Sequence, residues 1–163
     1  MEMNDSHKRA YAALSLLCKL PTVKQHCGTY TRYNVDAVFR HAKKSVDTAI
    51  LPAIEYLMYI PLESGRGGGY SSYDHEKPRE NEIAAAVNFV AFSGDLRGIA
   101  ALERIASSQR LITISTSPAD DWEAVPNSRE REHAERAIRI LQAVNKYGHI
   151  QCKNCQGSGI VVC

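Results

Sequence analysis

Five cysteines stand in the chain, and three of them crowd its end: His149-Ile-Gln-Cys152-Lys-Asn-Cys155-Gln-Gly157-Ser-Gly159-Ile-Val-Val-Cys163. Two cysteines separated by two residues can set both sulfurs on one metal ion, because the turn between them points them the same way. Gly157 lets the backbone turn tightly behind the second sulfur, where nearby amides can steady thiolate charge. Gly159 then releases the chain into an extended run that brings Cys163 back. A structural zinc site takes four ligands. This segment offers Cys152, Cys155 and Cys163, with His149 as the nearest fourth. His26 or Cys27, or a residue of a second copy of the chain, are the alternatives. A redox dithiol is the lesser expectation, since that chemistry uses a helix N-terminus to lower the first thiol's pKa, and glycines follow here instead.

The pattern Cys152-x-x-Cys155-x-Gly157-x-Gly159 resembles one arm of the zinc module of DnaJ-type chaperones. It is similar also to the arm in the late-gene antitermination Q proteins of lambdoid phages. The chaperone's His-Pro-Asp hairpin and its region rich in glycine and phenylalanine are missing, so the phage proteins are the nearer likeness. That resemblance spans only the cysteine arm. It implies a zinc-containing regulator of transcription that acts by binding DNA and RNA polymerase.

Basic groups offer a second kind of chemistry. Arg129, Arg136 and Arg139 fall near one face of the last predicted helix, beside Glu130, Glu132 and Glu135. Arg40, Lys43 and Lys44 form another group, with His41, Tyr30, Arg32 and Tyr33 close in sequence. Both groups can contact phosphates. The bland alternative is a solvated face laced with pairs three or four residues apart. The glycine run Gly65 to Gly69 lacks the Gly-Lys-Ser/Thr ending of a phosphate loop. Asp120 and Asp121 are adjacent and diverge, and His133 has no second histidine one turn along, so no enzyme is expected. A protein-binding module or inhibitor of phage or plasmid origin, without nucleic-acid binding, is the alternative function. In that case the Tyr70 to Tyr73 loop would be its contact.

Composition sets the outer bounds. A chain of 163 residues suits one domain with a sizeable core. With 44% hydrophobic and 23% charged residues it has a globular profile, and a formal charge of +2 neither demands nor excludes nucleic acid. The start, Met1 to Asp5, is polar and acidic, unlike an export signal. A reducing, cytoplasmic setting without membrane spans is therefore expected, with free or metal-bound thiols rather than disulfides. Cys18, on an apolar helix stripe, reads as a core cysteine.

These groups need a scaffold, and helical periodicity supplies it. Apolar spacing predicts helices over 5–20, 34–59, 80–92, 95–108 and 129–147. The second is expected to break near Ala49 to Leu51 because of Pro52. Leu111 to Ser117 has the alternation of a short strand or extended connection, and Pro118 to Asn127 reads as an acidic turn. The expectation is a mostly α fold: a small helical domain over 1–148, with a flexible glycine-rich loop at 61–78, and a short zinc-knuckle-like extended tail over 149–163.

Overall fold

In a computed structural model, residues 5–27, 35–62, 80–109, 111–115 and 122–148 are described. The helices among them are α1 (Asp5–Cys18), α2 (Val35–Ala42), α3 (Val46–Tyr59), α4 (Glu80–Ser93), α5 (Ile99–Ala106) and α6 (Ser128–Tyr147). Short 3-10 turns occupy Lys24–His26, Lys43–Ser45 and Leu96–Gly98. The fold is mostly α-helical, as the periodicity predicts. The glycine-rich loop beyond Leu62 and the tail over 149–163 lie outside the described residues.

The helices bury the stripes that their spacing marks out. Ala10, Ala13, Leu14 and Leu17 of α1 are buried together with Ala49, Ala53 and Leu57 of α3 in one core. Small residues at these positions let the two helices pack closely, while each fully buried leucine contributes about 1.5–3 kcal/mol. Phe39 of α2 joins the halves of the core. Its ring centroid lies 5.8 Å from that of Tyr56 on α3 and 5.5 Å from that of Phe89 on α4. Val87, Val90, Leu102, Ile105, Ala137 and Leu141 fill the space among α4, α5 and α6.

Two devices fix how these helices meet. Gly98 permits a close approach, since a Cβ there would run into Val90 Cγ1 and come within 3.3 Å of Leu141 Cδ1. Arg104 of α5 reaches across to the end of α3. It donates to the Leu57 carbonyl at 2.8 Å and to the Ile60 carbonyl at 2.6 Å. Those oxygens belong to the last turn of a helix, where intrahelical donors run out.

Several expectations are corrected. The long second helix breaks at the 3-10 turn Lys43–Ser45, not near Ala49 to Leu51, and Pro52 lies inside α3. Proline at this position leaves the carbonyl four residues back, on Thr48, without its helical donor. Thr48 is exposed, so water can serve that carbonyl. The acidic turn is partly strand: β1 (Leu111–Ser115) pairs antiparallel with β2 (Trp122–Pro126), in a register that sets Leu111 against Pro126 and Ser115 against Trp122. A strand needs a partner, and the one available was hidden behind Pro118 and two aspartates. The N-cap of α6 is Asn127, its Oδ1 accepting the Glu130 N–H at 3.2 Å. Gly148 closes that helix in the left-handed region, at φ 75°.

A disulfide joins Cys18 at the end of α1 to Cys27 after the first 3-10 turn, with Cα atoms 6.0 Å apart. It overturns the expectation of free thiols at these positions. Nine residues of separation and the tight path through Pro21 bring the two side chains into bonding range.

Candidate functional sites: a helical groove and a basic corner

Among the described residues no group of three or more His, Cys, Asp and Glu side chains can hold a metal ion. The zinc cofactor, and the zinc-containing antitermination regulator acting through DNA and RNA polymerase, are corrected on that ground. His149, Cys152, Cys155 and Cys163, the expected ligands, lie outside the described residues. Cys27, weighed as a further ligand, is already spent on Cys18. None of the helices among the described residues is long and apolar enough to cross a membrane.

The structure gathers the basic residues in two places. The first is a groove between α4 and α6, with a cavity of about 290 Å³. Ile83, Ala84 and Val87 of α4 form an apolar wall, and Arg129, Glu130, Glu132, His133 and Arg136 of α6 line the other side. Arg129, His133 and Arg136 share a rim because spacings of four and then three residues keep them on one helix face. Arg139 is exposed one turn further along and does not line the groove. Burial lowers the pKa of His133 from its ordinary value; a hydrogen bond to the Ala84 backbone opposes this, and the charge of Arg136 adds to it. The balance favours the neutral ring. Its Nε2 is buried and meets no hydrogen-bond partner among the described residues.

The second place is a corner where the end of α1 meets the start of α3. The hydroxyls of Thr22 and Ser45 are hydrogen-bonded at 3.2 Å, which sets the stretch after α1 beside the Lys43–Ser45 turn. Lys19, Lys24, Arg40, Lys43 and Lys44 are all exposed there. None of the five makes an ion pair or side-chain hydrogen bond among the described residues. Asp47 is the nearest acid in sequence that is also exposed.

The corner has an apolar neighbour. Arg9 lies over the Tyr59 ring at 4.0 Å from its centroid, with Nε 3.8 Å from Glu55 Oε1. This contact at one end and Thr22 with Ser45 at the other make α1 and α3 antiparallel, in a register that sets Leu16 level with Leu51. Both leucines are unusually open, at 48% and 53% exposure.

Arg40, Lys43 and Lys44 were thus legible as a basic group, but Lys19, Lys24, Leu16 and Leu51 were not. They join it through tertiary pairing alone. His133 was passed over for want of a second histidine, although its spacing from Arg129 and Arg136 already placed the three on one face. No family model, curated protein or solved structure matches this chain.

Proposed function

We propose that this protein is a helical binding module that acts by docking an acidic segment of a partner protein on its basic corner, and that it is not an enzyme. One observation carries this reading: five exposed cations without ion pairs among the described residues, at a corner that adjoins the open leucines Leu16 and Leu51. Exposed charges of one sign attract an oppositely charged partner and speed its encounter. Aliphatic side chains beside them favour a partner that brings apolar residues as well as acids. A nucleic acid would gain from aromatic faces on which bases stack; among the described residues the open apolar side chains beside these cations are leucines.

A fluorescein-labelled peptide rich in Glu and Leu, followed by polarisation at low and high salt, tests this. The peptide is expected to bind, and the Lys43→Glu/Lys44→Glu variant to lose that binding. Leu51→Ser should weaken binding at high salt, where the electrostatic part is screened. Tighter binding of a duplex oligonucleotide than of the peptide, or equal binding by the charge-reversed variant, would overturn the proposal.

A further inference from the structure

The groove between α4 and α6 carries an inference independent of the basic corner. Its rim holds both signs of charge, with Arg129 and Arg136 on either side of Glu132 along α6. Acid and base three or four residues apart on a helix commonly pair. Here Glu132 makes no ion pair with either arginine, so all three remain open to a ligand. His133 sits among them. Burial holds its pKa below the ordinary value, with the Ala84 backbone opposing this. Its Nε2 is buried and has no hydrogen-bond partner among the described residues. A buried polar nitrogen left in this state is costly until a ligand atom pairs with it.

The opposite wall is aliphatic, formed by Ile83, Ala84 and Val87. The cavity of about 290 Å³ stands at the small end of ligand sites. Among the described residues no aromatic side chain lines it to stack on a base or ring. A simple anion would suit the arginines but would meet Glu132 and the buried Glu130, and a simple cation would meet the arginines. The complement of this surface carries both charges close together on a short aliphatic body.

We propose that the groove is a binding site for a small aliphatic zwitterion of the α-amino acid class. The carboxylate binds Arg129 or Arg136, the ammonium lies between Glu132 and His133, and the aliphatic chain packs on Ile83, Ala84 and Val87. No bond is made or broken, so the site senses or carries the ligand rather than transforming it.

Leucine, leucinamide and 4-methylpentanoate separate the contributions, since the amide lacks the carboxylate and the acid lacks the ammonium. Calorimetry gives their affinities, and amide chemical-shift changes on the full chain locate the site. Leucine is expected to bind with shifts concentrated on α4 and the first half of α6. Each analogue should bind roughly ten- to a hundredfold more weakly, the loss of one charged hydrogen bond. Arg136→Gln and Glu132→Gln should weaken leucine to a similar degree. Both side chains are exposed, so unchanged melting temperatures would exclude unfolding as the cause. Absence of leucine binding, equal affinity for 4-methylpentanoate, or shifts lying elsewhere would each overturn the site.

Discussion

Removing the Arg104 side chain tests how α5 holds α3. Its guanidinium donates to the carbonyls of Leu57 and Ile60, two residues that are themselves fully or nearly fully buried. Burial lowers the pKa of Arg104 from the ordinary arginine value, yet guanidinium titrates so far above neutrality that the group stays charged. Each hydrogen bond to a charged group is worth about 1.5–3 kcal/mol net when no substitute exists. Arg104 is only half-buried, so water can replace part of that in a truncated variant. We therefore expect Arg104→Ala to cost about 2–4 kcal/mol. Arg104→Lys should recover less than half of this, because an ammonium does not present the planar fork that spans two carbonyls. Arg104→Met, which keeps the apolar stem, separates packing from hydrogen bonding. Urea unfolding followed by circular dichroism gives the differences as shifts of midpoint at constant slope. A loss under about 0.5 kcal/mol for Arg104→Ala, the level of an ordinary surface substitution, would refute the claim that this side chain closes the end of α3. Full rescue by lysine would refute the two-pronged geometry.

Other consequences can be checked in the same way. Reducing the Cys18–Cys27 disulfide, or replacing both cysteines with serine, should cost about 2–3 kcal/mol, as expected for releasing a short loop in the unfolded chain; an unchanged urea midpoint would argue against the bond. Gly98→Ala should destabilise by about 1–3 kcal/mol through overpacking against Val90 and Leu141, and a neutral or stabilising result would show that α4 can give way. The folded-state pKa of His133 lies below its unfolded value, so the unfolded chain takes up its proton first as pH falls. Stability should therefore drop below about pH 6.5 and level off beneath the folded pKa. Among the described residues the charged neighbours lining the groove are Arg129, Glu130, Glu132 and Arg136 of α6, and α4 contributes the apolar Ile83, Ala84 and Val87. A His133→Gln chain with the same acid-side slope would place that dependence elsewhere.

Helices were legible because their apolar stripes recur at helical spacing over many residues. The boundaries of α4 and α6 and the cap at Gly148 follow from local chemistry alone. Pro52 misled because proline is costly in a helix interior only as far as its lost hydrogen bond and its ring cannot be accommodated, and exposure of Thr48 is a tertiary fact. β2 was obscured because its pairing with β1 depends on a turn whose residues read as an acidic loop. The disulfide was illegible for a different reason. Cys18 lies on a stripe that also reads as core, and only the path of the chain after Pro21 shows that Cys27 returns to it.

The charge distribution is where local and global readings part most sharply. A total of 20 basic against 18 acidic side chains suggests a surface without strong preference. Folding sorts those charges unevenly. Lys19 and Lys24 come from one segment, and Arg40, Lys43 and Lys44 from another. Each group alone resembles an ordinary solvated stretch. The contact between Thr22 and Ser45, with the disulfide holding the intervening turn, adds them into one corner with little opposing charge. On α6 the same residue types alternate in sequence and stay balanced after folding, because a single helix face preserves the spacing of its own charges. The corner therefore suits a partner of opposite sign and extended reach, where long-range attraction counts. The groove suits a compact ligand that carries both signs, where attraction decays within a few ångströms and close fit decides. The two surfaces thus differ in what they select, the corner through cations that tertiary pairing collects and the groove through charges of both signs spaced along one helix face.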